Sequence, residues 1–145
     1  MNLKTAYSGE VEIDTGEILK FEHGIPGFEA ETEFVLIPIE DNEEFTVLQS
    51  IKTEALAFIV TNPYNITVNY NIELEVSTVH ALQIKDQKEV AVFAVVSLKE
   101  TIAESTVNLK APIILNTSNK KAKQIILNNE DYNIRQPLSS ESQKG

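Results

Sequence analysis

This chain predicts a mostly β fold, a small antiparallel barrel-like domain with one or two short helices. Three observations point there. Short apolar runs recur along the 145 residues with turn formers between them, the run Ile66–Val76 alternates apolar and polar side chains at every step, and no stretch of about ten residues has strong helical periodicity. With 42% hydrophobic and 23% charged residues the composition is that of a globular chain, and at this length folding buries roughly 70% of the unfolded surface. Residues 1–138 are therefore expected to form one domain, and the polar residues 139–145 a disordered tail.

In chain order, GEVEI (9–13) and EILKF (17–21) flank DTG, which predicts a hairpin with Gly16 in the left-handed conformation. EHGIPGFE (22–29) then crowds Gly24, Pro26 and Gly27 together in a chain with only 5 glycines and 5 prolines. It reads as a structural corner, the glycines freeing the backbone, Pro26 fixing its exit, and Ile25 and Phe28 anchoring it to the core after Phe21. EFVLIPI (33–39), EFTVLQSI (44–51) and ALAFIVT (55–61) predict three strands; Glu40, Asp41, Asn42, Glu43 and Glu44 link the first two, and Asn62-Pro63 ends the third.

Ile66, Val68, Tyr70, Ile72, Leu74 and Val76 alternate with polar residues, which predicts a half-buried strand exposing Asn69, Asn71, Glu73 and Glu75. Ser77 is expected to cap a short helix over STVHAL, and a weaker helical signal covers 98–105. EVAVFAVVSL (89–98) is apolar on both faces and should be a central strand. TVNLKAPIILN (106–116), containing Asn108 and Leu109, must bend or lie at an edge at Pro112; the basic turn NKKAK then leads to a last strand, QIIL (124–127). In all, about eight to ten short strands make a barrel or sandwich.

Charge is unevenly placed. Residues 1–75 carry 15 acids and 3 bases, a net of −12, whereas residues 76–145 carry 7 acids and 9 bases, a net of +2. Such a surface repels nucleic acid and anionic lipid and speeds encounter with a basic protein, although acids of this kind also serve solubility alone. The longest apolar run, VAVFAVV (90–96), is too short for a membrane span, and the start has no apolar leader, so a cytoplasmic protein is expected.

Catalytic chemistry is sparse. Zero cysteines exclude disulfides, thiolate metal sites and cysteine catalysis. His23 reads as a turn residue and His80 as a packed or surface residue, and the phosphate-loop, dinucleotide, nucleophile-elbow and zinc-protease motifs are absent. No catalytic residue, cofactor or metal is expected. Lys120, Lys121 and Lys123 form the one basic cluster and read as a solvated turn, which weakens any nucleic-acid reading. Two readings stay open: a protein that works by binding other proteins, and a small ligand- or carbohydrate-acting β-barrel.

Taken in order, FEHGIPGFE (21–29), FVLIPI, Leu48-Gln49-Ser50, AFIVTNP (57–63), TVNLKAPIILN, the Gln124 strand and Tyr132, Arg135 and Pro137 resemble the flagellar assembly factor FliW family over about Tyr7–Leu138. His23 stands where that family often carries another charged or polar residue. The resemblance implies a small β-barrel-like protein without enzymatic activity. It further implies two partners, flagellin and the dimeric RNA-binding translational regulator CsrA: FliW is held by flagellin and, once free, binds CsrA and relieves repression of flagellin mRNA. Candidate partner contacts are the acidic link Glu40, Asp41, Glu43 and Glu44, expected near the RNA path of CsrA, and the polar row Asn69, Asn71, Glu73 and Glu75. Phe21, Gly24–Phe28, Asn62, Pro63, Asn108, Leu109 and Pro112 are expected to be structural.

Overall fold

Residues 1–67 and 69–138 are described by the computed structural model, in which the expected tail, 139–145, lies outside the described residues. The strands are β1 (Asn2–Lys4), β2 (Glu10–Glu12), β3 (Leu19–Phe21), β4 (Glu33–Ile39), β5 (Asn42–Ser50), β6 (Ala57–Thr61), β7 (Val90–Ser97), β8 (Thr106–Val107), β9 (Ile113–Asn116), β10 (Lys121–Gln124) and β11 (Gln136–Pro137). Among the described residues one α-helix, α1 (Val76–Ala81), lies between β6 and β7.

Pairing runs β7–β6–β5–β4–β3–β10–β9, and β9 returns to β7, so seven strands close into a barrel and leave no edge within the ring. Every pair in the ring is antiparallel except β3 with β10, a short parallel contact matching Lys20 to Lys121 and Phe21 to Ala122. The central position expected for β7 is observed. One of its edges pairs β6; the other is shared, its first half pairing β9 and its last two residues pairing β8.

β4 and β7 are apolar on both faces because both of their faces are covered. Inside the barrel Leu19, Phe21, Phe34, Leu48, Val60, Ile113, Leu115 and Ala122 form a packed core, with Phe21 edge-on to Phe34 at 5.4 Å between ring centroids. Fully burying each large apolar side chain here stabilises the fold by about 1.5–3 kcal/mol. Outside, Val35, Ile37 and Val47 meet Leu3, Val11 and Ile13, so the β1–β2 ribbon seals β4 and β5. On the opposite wall, Ala94, Val96 and Val107 are covered by Tyr70, Leu109 and Leu127 with Ile72 and Tyr132 packed alongside.

Four local expectations are corrected. The first hairpin does not form: the Asp14 carboxylate accepts the Gly16 N–H at 2.8 Å, making a 3-10 turn, and Gly16 is not left-handed. β2 pairs instead with β1, and β3 pairs with β4. The stretch 66–75 forms no strand among its described residues; Ile66, Tyr70 and Ile72 are covered as a half-buried run should be, here against the β7 wall, but no neighbouring strand supplies a ladder. Ser77 does not cap α1, because the helix begins one residue earlier and Glu75 occupies the capping position without a side-chain bond. Finally, NKKAK is not wholly a turn. The turn is earlier, with Lys120 at φ 65°, and Lys121–Gln124 is the strand while Ile125–Leu127 is not. The 98–105 signal yields a 3-10 turn at Ile102–Glu104.

Candidate functional site

Tight turns put the acidic link at the tip of the β4–β5 hairpin. Asp41 takes φ 61°, and the Asn42 side-chain oxygen accepts the N–H groups of Glu44 and Phe45 at 2.8 and 3.1 Å, so the tip is shaped by an Asx turn beside a register shift at Pro38/Ile39. Glu40, Asp41, Glu43 and Glu44 are all exposed. Four carboxylates with few local cations make this end of the barrel strongly negative.

The polar row lies elsewhere. Asn69, Asn71, Glu73 and Glu75 are exposed as expected, and Asn71, Glu73 and Glu75 line a cavity of about 450 Å³ shared with Ile125–Asn129. Its backbone is held by an aromatic cluster rather than by a strand partner. The Tyr132 hydroxyl accepts the Asn71 N–H at 2.6 Å and lies 3.2 Å from the carbonyls of Asn69 and Asn71. Tyr70 packs 4.7 Å from Tyr132 and donates its hydroxyl to the Leu109 carbonyl at 2.6 Å. Burial, then the neighbouring Tyr132 and Tyr64, push the Tyr70 hydroxyl pKa well up, so it stays a neutral donor.

The corner EHGIPGFE consists of two consecutive turns. Gly24 N–H closes the first onto the Phe21 carbonyl at 2.9 Å, and Phe28 N–H closes the second onto the Ile25 carbonyl at 2.6 Å. Gly24 and Gly27 take φ +70° and +88°, the values that favour glycine, and Pro26 before Gly27 is the pairing a type II turn favours. Ile25 is buried, but Phe28 corrects the core-anchor reading: it is 42% exposed and lies edge-on to Phe58 at 5.7 Å, on the surface. The Glu29 carboxylate accepts the Gly27 N–H at 3.0 Å, which holds its pKa below the usual range.

The remaining family residues are structural in geometry. Asn62 accepts the Tyr64 N–H at 2.9 Å and Pro63 is buried behind it. Asn108 accepts the N–H groups of Lys110 and Ala111 at 3.1 and 3.0 Å, closing a loop that carries the chain from β8 past buried Leu109 and Pro112 into β9. The bend expected at Pro112 is thus where β7 changes partners.

Sequence reasoning missed two arrangements. Gln49 is fully buried; its Nε2 lies within 3.0–3.4 Å of the carbonyls of Ser50, Thr53, Glu54 and Leu56, and its Oε1 accepts the Ala6 N–H at 2.9 Å. Next to it Glu31 accepts the hydroxyls of Ser50 and Thr53 at 2.6 and 2.7 Å. The second is a groove of about 530 Å³ between the corner, β10 and the end of α1, where Lys20, Lys121 and Lys123 stand on one side. Its signal in the sequence was the alternation K-A-K, with Ala122 inward and the lysines outward. Among the described residues, no group of three or more His, Asp or Glu gathers as a metal site, and no helix is long and apolar enough to cross a membrane.

The family model "FliW protein" matches residues 2–138. The chain belongs to the FliW family. A flagellar assembly factor FliW of Oceanobacillus iheyensis is 44% identical over 140 residues, 97% of this chain and 95% of the relative. One of Bacillus velezensis is 42% identical over 135 residues, covering 93% and 94% respectively. A solved structure, a crystal structure of the flagellar assembly factor FliW, superposes with a TM-score of 0.90 at 36% identity, covering 95% of this chain and 96% of that one. The closed barrel described above is therefore the FliW fold, and the resemblance carried by GIPGF and VNLKAPI in the sequence is borne out.

Proposed function

We propose that this protein is a non-enzymatic regulator of flagellar assembly that binds flagellin and, when free of it, binds and antagonises the dimeric translational regulator CsrA. Repression of flagellin mRNA is thereby relieved, and the protein acts in the cytoplasm, where both partners are made. Neither a cofactor nor direct contact with nucleic acid or membrane is part of the reading. The observation that carries it is FliW membership over residues 2–138. A net charge of −10, with Glu40, Asp41, Glu43 and Glu44 exposed at one hairpin tip, suits a basic RNA-binding partner. The competing ligand-carrying barrel is less well supported, because the lumen is filled by Phe21, Phe34, Leu48, Ile113 and their neighbours.

Size-exclusion chromatography with flagellin, with CsrA and with both tests the reading. A stable complex with each alone, and no ternary complex, is expected. Failure to bind either partner overturns the assignment, and a stable ternary complex overturns exclusive binding. For the acidic tip, amide variants of Glu40, Asp41, Glu43 and Glu44 should still bind CsrA yet displace RNA less well at low salt than at high salt, relative to the parent. Unchanged displacement with intact binding would remove the electrostatic part.

A further inference from the structure

Two walls of the barrel are covered on the outside by the chain itself, but among the described residues none covers the β3–β10 wall. There the outward side chains are lysines. Lys20 and Lys121 are register neighbours in the parallel pair, and Lys123 follows on the same face of β10 because Ala122 between them points into the core. Like charges set directly opposite each other on neighbouring strands destabilise a sheet; Lys20 has Glu33 of β4 opposite it on its other side, whereas Lys121 and Lys123 face Asn116 and Ile114 of β9.

These lysines border the groove of about 530 Å³, whose exposed apolar lining comes from Pro26 and Ala81, with Leu82 and Ala122 buried behind it. The groove is pre-formed. Asn116 and Asn119 both donate to the Leu82 carbonyl, at 2.9 and 3.1 Å, which ties the end of α1 to the β9–β10 turn. On the other side Gly24 packs against the Glu29 backbone, and Gln124 is held by the Ala111 carbonyl at 2.9 Å. Glu22 and Glu29 also face the groove at its corner end, with Glu29 already engaged by the Gly27 N–H. The result is a fixed slot with Pro26 and Ala81 as its exposed apolar surface, lysines along β3–β10, Glu22 and Glu29 at the corner end, and Glu33 beside Lys20 on β4.

We propose that this groove docks a short amphipathic segment of a protein partner, its aliphatic side chains on Pro26, Ala81 and the lysine stems and its carboxylates along Lys20, Lys121 and Lys123. Phosphate ligands fit less well: an RNA has no aliphatic face for this apolar surface, and it meets a chain of net charge −10. The inference goes beyond the functional reading, since it assigns one surface and the chemistry of its occupant and does not depend on which partner supplies it.

Fluorescence anisotropy of the full chain tests it with labelled Leu/Glu amphipathic peptides, a Leu/Lys version, a Ser/Glu version lacking the aliphatic face, and a short single-stranded RNA. The Leu/Glu peptide should bind best and weaken with salt. The triple variant Lys20→Gln/Lys121→Gln/Lys123→Gln should lower its affinity about tenfold or more, with arginine at the same three positions restoring it and Lys110→Gln having no effect. Amide NMR shifts on binding should centre on Lys20, Gly24, Leu82 and Lys123. Equal binding of the Leu/Lys or Ser/Glu peptide or of RNA, indifference to the triple variant, or self-association abolished by that variant would each overturn the proposal. Because the titration uses neither flagellin nor CsrA, its failure is separable from failure of the functional reading.

Discussion

Gly24 stands so close to the backbone of Glu29 that a β-carbon on it would lie 2.6 Å from the Glu29 carbonyl oxygen. Backbone cannot swing aside as a side chain does. Gly24→Ala therefore combines a left-handed φ, which costs about 1–2 kcal/mol for a residue with a β-carbon, with a clash that must displace the corner. Gly27→Ala meets open space and should cost only the conformational part. Urea denaturation should rank Gly24→Ala below Gly27→Ala by at least about 1 kcal/mol; the reverse order would mean that the corner yields easily.

Gln49 joins the N-terminal ribbon to the loop after β5. Replacing it with leucine keeps the volume but strands the Ala6 N–H and several loop carbonyls in a dry setting, at about 1–3 kcal/mol for each buried group left unpaired. Gln49→Leu should lower the urea midpoint and accelerate hydrogen exchange at Ala6 more than within β6 or β7. Uniform acceleration across the barrel would show that the bond does not act locally.

The Glu31 carboxyl is held below its ordinary value of 4.5, first by the Ser50 hydroxyl and then by that of Thr53, with partial burial opposing and the Lys52 charge assisting. A carboxyl depressed in the folded state contributes stability that is fully present above the unfolded pKa and is lost as pH falls through the folded one. Glu31→Gln should thus melt lower than the parent at pH 7, and the gap should close as the pH drops below 4.5. Glu29 and Glu89 are depressed too, so the variant keeps part of the acid limb. A constant gap in melting temperature from neutral to acid pH would refute the linkage.

How much of this was legible in the sequence depended on what each signal reports. EFVLIPI matched β4 residue for residue because Phe34, Val35 and Ile37 are buried on both faces of a paired strand. The more regular alternation of Ile66–Val76 misled, since alternation reports which side chains are buried, not what the backbone bonds to. Tyr132 supplies that backbone partner from over 60 positions away in sequence, and Val76, the last apolar member, is 74% exposed at the start of α1. Lysines hid β10 for a related reason: a strand whose outer face carries charge looks like a turn when its inner face contributes a single small residue, Ala122.

Tyr132→Phe isolates that backbone support. The variant keeps the ring packed at a tilt against Tyr70 but loses the bond to the Asn71 N–H, a change of about 1 kcal/mol. Exchange at Asn71 should quicken while the β4–β7 amides stay protected. A loss of global stability well beyond that figure would show that the 66–75 segment folds as part of the barrel.

The parallel contact of β3 with β10 has a consequence for synthesis. Lys20 and Lys121 lie about a hundred residues apart in sequence, so the ring closes through its most distant pairing. On the ribosome, β3 to β6 can assemble as an open sheet long before β10 emerges, leaving the β3 edge bare. That edge carries Lys20 on β3 and, beside it in register, Glu33 on β4. Charges at an unfinished border discourage a second nascent chain from adding there. The side chains that leave the finished wall polar would then also guard the barrel during the interval when it is still a sheet.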